Sequence, residues 1–180
     1  DGRIVAPAEA IAAPMLAAAS NWHALARLAA THANAARSLL VDVGSTTTDI
    51  VALVDGAPAA LAHDDAGRML SGELVYTGIE RTPLATLVRD LPHAGLRRPV
   101  ATERFADSRD AWLVLGGLPE DASDRDTADG GPATGAAARI RLARTMLVEP
   151  DDFSAADAVA AAEACAAAQA GQVAGAVRKV

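Results

Sequence analysis

Residues Leu39 to Val51 read LLVDVGSTTTDIV and form the most informative stretch of the sequence. An apolar run leads into Asp42, then come a glycine and four hydroxyl residues, and Asp49 opens a second apolar run. Apolar and β-branched residues on both sides of a turn that contains Gly and Ser are typical of two strands joined by a tight loop. The sequence therefore predicts neighbouring strands at 38–43 and 49–54.

The loop between these strands has the composition of an anion-binding turn. Gly44 has no Cβ, so it can adopt a positive φ and let an anion approach closely. Ser45, Thr46 and Thr47 offer backbone N–H groups and hydroxyls to phosphate oxygens. The alternative is an ordinary hairpin, in which the threonines satisfy strand propensity and local turn hydrogen bonds.

Charged side chains near the loop extend the phosphate interpretation. Asp42 and Asp49 are anionic, so we expect them to hold a hydrated Mg²⁺ that bridges to the phosphate. Arg81 carries a planar, forked guanidinium that suits phosphate or carboxylate. The alternative for Arg81 is a surface ion pair with Glu80 or Glu73.

The composition predicts a globular, acidic protein. Of its 180 residues 51% are hydrophobic and only 3% aromatic, so we expect a core of small residues and closely packed helices. A net charge of −7 argues against nonspecific binding to nucleic acid or to an anionic membrane. No apolar run approaches the ~20 residues of a membrane-spanning helix. The single cysteine, Cys165, excludes an internal disulfide and suits the reducing cytoplasm, where we expect the protein to reside.

The Ala-rich lead-in, residues 1–37, is predicted to be helical. Ser20-Asn21 is the expected N-cap of its second helix. One face of that helix is then predicted at helical spacing to contain Trp22, Leu25, Leu28 and Ala29. Trp22 is interpreted as a packing residue, with ligand stacking as the alternative.

The segment after the loop is predicted to continue as a sheet and to end in a helix. Asp55-Gly56 is typical of a two-residue hairpin turn and predicts a third strand at 59–63, which completes an antiparallel meander. We assign residues 38–150 to one phosphate-binding domain. Residues 151–180 are assigned to a C-terminal helix, which is predicted to begin at Ala155 after a capping box of Ser154 and Asp157 and to end near Ala170.

An acidic segment at residues 120–131 is interpreted as a surface loop. A metal site is the alternative, although the segment lacks the spacing of a calcium-binding loop.

Five strings along the chain together resemble the hydantoinase A/oxoprolinase branch of the actin, heat-shock chaperone and sugar-kinase superfamily. In chain order they are AAASNW at 17–22, DVGSTTTDI at 42–50, GELVYTG at 72–78, RTP at 81–83 and TADG at 127–130. The set is most similar to tetrahydromethanopterin-linked one-carbon-transfer proteins of methylotrophs and to archaeal methanofuran-biosynthesis synthases.

The resemblance implies an α/β fold of the ribonuclease-H-like type, with a mixed sheet that starts as the meander and is flanked by Ala-rich helices. It implies a transferase that joins a furanmethylamine diphosphate to the phenol of a glutamylated tyramine, displacing diphosphate. Mg²⁺ and either ATP or a diphosphate-bearing substrate are the implied cofactors. The alternatives are an ATP-dependent hydrolase of cyclic amides, and a non-catalytic binding module or an incomplete half of such an enzyme.

The resemblance also assigns site residues by position. The phosphate- and cofactor-binding set is Gly44, Ser45, Thr46, Thr47, Gly72, Tyr76 and Thr77. The metal ligands are Asp42 and Asp49, and the catalytic candidates are Asp49, Arg81 and Asp129.

The front of the chain departs from the family pattern. Family members begin with another strand and an acidic, Gly-rich loop, and no such motif precedes residue 38. We therefore expect a missing N-terminal half or a homo-oligomer partner to complete the ligand cleft, and a small phosphorylated molecule to occupy it.

Overall fold

The computed structural model describes residues 5–14 and 21–180 as a mixed α/β protein with an antiparallel sheet. The chain divides into two compact units. The first comprises Asp1–Asp42, Asp49–Val75 and Ala176–Val180, and the second comprises Val43–Thr48 and Tyr76–Gly175. These boundaries fall at positions other than 37 and 150, and the three-part division expected from the sequence stays a prediction.

The first unit is built around a small sheet. Its elements are α1 (Pro7–Ala12), α2 (Asn21–His32), β1 (Arg37–Val43), β2 (Thr48–Val54), β3 (Ala57–Pro58), α3 (Asp65–Ser71) and β4 (Leu74–Val75). β2 lies between β1 and β3, pairs antiparallel with β3, and also pairs with β4. The predicted turn is confirmed, because Asp55 and Gly56 adopt φ values of 49° and 76° between β2 and β3.

The third strand is shorter and earlier than the sequence predicts. The strand consists of Ala57–Pro58, and residues 59–63 are not a strand, although the Ala59 amide still donates to the Ala52 carbonyl of β2 at 2.8 Å. The amides of Leu61 and Ala62 donate instead to the Glu73 carboxylate, at 2.7 and 3.1 Å. A side-chain acceptor therefore takes the place of a strand ladder over this segment.

α2 packs against the sheet through a face of small residues. Its buried residues are Trp22, Ala26 and Ala30, which form a cluster with Val51 and Leu53 of β2. The predicted face is confirmed for Trp22 and for Ala29, which packs against this cluster, and is wrong for Leu25 and Leu28, whose side chains are exposed. Trp22 is a packing residue as expected. Of the predicted N-cap pair, Ser20 lies outside the described residues, and Asn21 is the first residue of α2.

The second unit is mainly helical. Its elements are α4 (Leu84–Leu87), β5 (Asp90–His93), β6 (Leu96–Pro99), α5 (Ser108–Val114), α6 (Gly135–Thr145), a 3₁₀ turn at Pro150–Asp152 and most of α7 (Ala155–Val177). The strands β5 and β6 form an antiparallel hairpin. Leu84, Leu91, Leu142 and Phe153 are fully buried together with a run of alanines from α7.

α7 begins where the sequence predicts and ends later. The Ser154 hydroxyl accepts from the Asp157 amide, and the Asp157 carboxylate accepts from the Ser154 amide, both at 3.1 Å, which is a capping box. The helix runs on to Val177 through Gly171 and Gly175, since a glycine inside a helix costs only about 1 kcal/mol relative to alanine. Among the described residues, no helix combines the length and apolarity needed to cross a membrane.

Candidate functional site

The loop between β1 and β2 closes on itself. The Gly44 amide donates to the Thr47 carbonyl oxygen at 2.8 Å. The expectation of a positive φ at Gly44 is wrong. A Cβ on Gly44 would lie 3.2 Å from that same Thr47 oxygen, so close packing inside the loop is the reason that glycine suits this position.

The closed loop leaves three consecutive amides without an acceptor among the described residues. In the part of the chain that the structure describes, the N–H groups of Ser45, Thr46 and Thr47 donate to no backbone or side-chain oxygen. The Ser45 and Thr46 hydroxyls are 3.5 Å apart, so they interact with each other only weakly. All three residues are half-buried. Adjacent free amides with hydroxyls beside them can accept an anion such as phosphate.

The segment that follows Gly78 fixes this loop from the other side. The Ile79 amide donates to the Gly44 carbonyl at 2.9 Å, and the Arg81 amide donates to the Ser45 carbonyl at 2.9 Å. Gly78 itself lies against the loop backbone: a Cβ there would be 2.5 Å from the Thr46 nitrogen. The chain can pass this close only because position 78 has no side chain.

A buried network of neutral polar groups supports the same segment. The Thr48 hydroxyl donates to the Thr77 carbonyl at 2.8 Å. The Gly78 carbonyl accepts from the Ser108 hydroxyl at 2.7 Å and from the Gln169 side-chain amide at 2.6 Å. Since buried polar groups are costly unless they are bonded, the network holds the Gly78 segment in one conformation.

Arg81 joins the loop through its backbone, whereas its side chain is engaged elsewhere. The guanidinium lies 3.5 Å from the Asp126 carboxylate, and both side chains are well exposed, at 59% and 70%. The alternative partners expected from the sequence were Glu80 and Glu73, and the ion pair forms with the acidic segment instead. Such an exposed pair is weak, so Arg81 can exchange it for another anion.

Asp129 lies in a separate cluster with arginines of α6. Its carboxylate accepts from Arg141 at 3.1 Å and from Arg144 at 3.0 Å. Arg141 is fully buried and also pairs with Asp110 at 2.7 Å. Partial burial raises the pKa of Asp129, but the Gly131 amide and the two guanidiniums outweigh burial and leave the pKa below its ordinary value.

The other predicted site residues belong to the first unit or to its border. Asp49 is buried and forms an ion pair with Arg68 at 2.8 Å, and the Arg68 guanidinium stacks 3.9 Å from the Trp22 ring centroid. Asp42 is half-buried on β1. Gly72 ends α3 with a φ of 90° and donates its amide to the Arg68 carbonyl.

Tyr76 and Thr77 follow one another but have different environments. The Tyr76 side chain is 65% exposed, whereas Thr77 is fully buried and its hydroxyl accepts from the Gln169 amide at 3.0 Å. No group of three or more His, Cys, Asp or Glu residues able to hold a metal occurs in residues 5–14 and 21–180. The roles assigned to all these residues from the sequence stay predictions.

The structure adds residues that the sequence reasoning did not single out, namely Gly78, Thr82, Ser108 and Gln169. Gly78 and Thr82 lie in two of the strings that resemble the family, and this was their signal in the sequence. The helical pattern of α7 points to Gln169. The buried stripe of α7 runs through Ala158, Ala162 and Cys165, and helical spacing extends it to position 169, where an amide replaces an apolar residue.

Comparison with known proteins supports the family resemblance of the five strings. The family model described as Hydantoinase/oxoprolinase matches residues 1–90, which is half of the chain. Two curated relatives share the name (4-{4-[2-(gamma-L-glutamylamino)ethyl]phenoxymethyl}furan-2-yl)methanamine synthase.

The first of these relatives is from Methanococcus vannielii and is 37% identical over 121 residues, which is 67% of this chain and 54% of the relative. The second is from Methanocaldococcus jannaschii and is 34% identical over 131 residues, which is 73% of this chain and 39% of the relative. The chain thus spans about half the length, or less, of the curated relatives it matches. This chain belongs to the hydantoinase/oxoprolinase family.

Proposed function

We propose that this chain provides the diphosphate-binding part of a transferase in the biosynthesis of a methanofuran-like one-carbon carrier. The amides of Ser45, Thr46 and Thr47, which have no acceptor among the described residues, carry the proposal, because they form an anion-accepting loop in a rigid frame. The names of the two synthase relatives support the reaction class.

The proposed reaction forms an aryl ether, the linkage in the names of the relatives. The phenolic oxygen of a glutamylated tyramine attacks the CH₂ group of a furanmethylamine diphosphate. A carbon–oxygen bond forms, the bond from that carbon to the diphosphate breaks, and the phenolic proton passes to a base. The loop would bind the departing diphosphate, where negative charge grows as the bond breaks. Arg81 is the proposed cation for that charge, since its pair with Asp126 is exposed and exchangeable.

Mg²⁺ is proposed to arrive with the diphosphate. Asp49 already neutralises Arg68, and the described residues offer no cluster that could bind a metal unaided. Mg²⁺ is commonly held by one or two carboxylates together with substrate phosphates. Asp42 and Asp49, the metal ligands expected from the sequence, belong to the first unit, and their metal role stays a prediction. The ribonuclease-H-like type of the fold, and completion of the cleft by further protein, belong to the same proposal.

Calorimetric titration with pyrophosphate and with ATP, each with and without Mg²⁺, tests this function. Mg²⁺-dependent binding of pyrophosphate, with ATP no tighter, is the expected result. Tighter binding of ATP would overturn the transferase and favour the ATP-dependent cyclic-amide hydrolase, to which the family name also points. Absence of binding to both ligands would refute the phosphate loop.

A pair of isosteric variants makes the titration specific to the loop. Thr47→Val removes a hydroxyl from the loop while keeping its shape, so we expect pyrophosphate to bind about three- to tenfold more weakly. Thr31→Val is the matched control, because Thr31 is an exposed residue of α2 whose hydroxyl donates only to its own helix. Equal affinities for the two variants would remove Thr47 from the site.

A further inference from the structure

The side-chain amide of Gln169 connects α7 to the segment that supports the loop. Gln169 is 6% exposed. Its Nε2 atom donates to the Thr77 hydroxyl at 3.0 Å and to the Gly78 carbonyl at 2.6 Å. Its Oε1 atom accepts from the indole N–H of Trp112 at 3.0 Å. One amide therefore connects α7, α5 and the segment beneath the loop.

The orientation of this amide is fixed by its partners. An indole N–H can only donate, so the Gln169 oxygen must face Trp112 and the nitrogen must face Thr77 and Gly78. A flipped amide would put an NH₂ group against the Trp112 donor and an oxygen against the Gly78 carbonyl. Trp112 thereby ensures that Gln169 donates toward the loop.

Gly78 passes this constraint on to the loop. Its backbone touches the Ser45–Thr46 peptide so closely that a Cβ could not be accommodated. The next residue, Ile79, then donates its amide to the Gly44 carbonyl at 2.9 Å. A displacement of the Gly78 carbonyl therefore also displaces the Ser45–Thr46 peptide, because the two stretches of backbone are in close contact.

We propose that Gln169 is a positioning residue that holds the loop amides in the geometry needed for the diphosphate. The identity of the ligand rests on the proposed function. The effect of α7 on the loop is argued from the contacts alone. Gln169 is not expected to touch the ligand. The Ser108 and Thr82 hydroxyls still bond the Gly78 carbonyl when Gln169 is replaced, so the fold is expected to survive.

The test compares Gln169→Met with Gln172→Met in the 180-residue chain. Gln172 lies one turn further along α7 and is exposed, so it controls for changing a glutamine to methionine in the same helix. The amides of Ile79 and Arg81 report on loop anchoring, because they are the donors that hold Gly44 and Ser45. Their hydrogen exchange is followed by NMR, with the Ala138 amide of α6 as the internal reference.

In Gln169→Met we expect exchange at Ile79 and Arg81 to be about three- to tenfold faster relative to Ala138, with magnesium pyrophosphate bound more weakly by a similar factor. Gln172→Met should match the unchanged chain in both measurements. Equal acceleration at all three amides would indicate general destabilisation and would overturn the positioning role, as would unchanged exchange at Ile79 and Arg81.

The two proposals fail in different ways. Failure of the unchanged chain to bind magnesium pyrophosphate would refute the proposed function, while selective acceleration at Ile79 and Arg81 would still establish control of the loop. If Gln169→Met does not fold, Trp112→Phe takes its place. That variant keeps a ring but removes the N–H that orients Gln169, so the same selective acceleration is expected and its absence would overturn the proposal.

Discussion

At the scale of single residues, Gly78 is the position where the loop tolerates least change. A Cβ at position 78 would meet the Ser45 carbonyl carbon and the Thr46 nitrogen at 2.5 Å. These are backbone atoms and cannot rotate aside. Gly78→Ala is therefore expected to lower the free energy of unfolding by about 1–3 kcal/mol and to weaken binding of magnesium pyrophosphate. Urea unfolding and calorimetry measure the two effects.

Gly171→Ala is the matched control for Gly78→Ala. Gly171 lies within α7, and nothing would touch a Cβ there. Alanine is the better helix former, so this variant should gain roughly 0.5–1 kcal/mol and bind pyrophosphate as before. Similar losses in both variants would show that Gly78 has no special contact with the loop.

Cys165 is a thiol whose reactivity is suppressed by burial. The thiol lies in the core of the second unit, and burial raises its pKa to about 12. Because the thiolate is the reactive form, Cys165 should not react with a thiol-specific reagent such as dithionitrobenzoate at pH 8 in the native protein. Full reaction is expected once urea unfolds the chain. Stoichiometric labelling of the native chain at the rate of a free thiol would contradict this burial.

At the scale of elements, α6 holds the acidic segment through one carboxylate. The pKa of Asp129 is lowered, so the ionised side chain stabilises the folded state above its unfolded pKa of about 3.9. This stabilisation is lost as the pH falls through the lower, folded pKa. Asp129→Asn should therefore reduce the melting temperature at pH 7, and the difference from the unchanged chain should shrink below about pH 4.

Asp151→Asn controls for the loss of one negative charge. Asp151 is exposed in the 3₁₀ turn, and no hydrogen bond or ion pair of its side chain occurs among the described contacts. Thermal unfolding followed by circular dichroism should give Asp151→Asn nearly the melting temperature of the unchanged chain at pH 7. A difference for Asp129→Asn that stays constant from pH 7 to pH 3 would exclude its ionised carboxylate as the source.

The elements also show how far local sequence patterns reach. The hairpin at Asp55-Gly56 was predictable because a two-residue turn needs positive φ at both positions, which these residue types permit. The end of the third strand was not predictable, because Glu73, twelve residues beyond Leu61, accepts hydrogen bonds from amides that a longer strand would have used. The loop amides were predictable from local composition. Gln169 was harder to find, because its contact with Gly78 joins residues 91 positions apart.

At the scale of the whole molecule, the predicted site residues are divided between the two units. The loop, Thr77, Arg81 and Asp129 belong to the second unit, and Asp42, Asp49 and Gly72 belong to the first. Neither unit is one continuous piece of chain. The polypeptide passes between them four times, after Asp42, Thr48, Val75 and Gly175.

This connectivity predicts that the two units unfold together. β1, β2 and α7 each contain residues of both units, so melting of one unit removes the ends of elements in the other. Each unit contains one tryptophan, Trp22 in the first and Trp112 in the second. Trp112→Phe and Trp22→Phe therefore yield two chains whose fluorescence reports on one unit at a time.

In each variant, the urea midpoint from tryptophan fluorescence should coincide with the midpoint from far-ultraviolet circular dichroism of the same sample, as in a two-state transition. Both probes within one sample share any destabilisation caused by the substitution, so each variant is its own control. A Trp22 midpoint well separated from the circular dichroism midpoint would show that the first unit unfolds independently. The four connections between the units would then be flexible. Sharing two strands and a helix would not be enough to make the units unfold together.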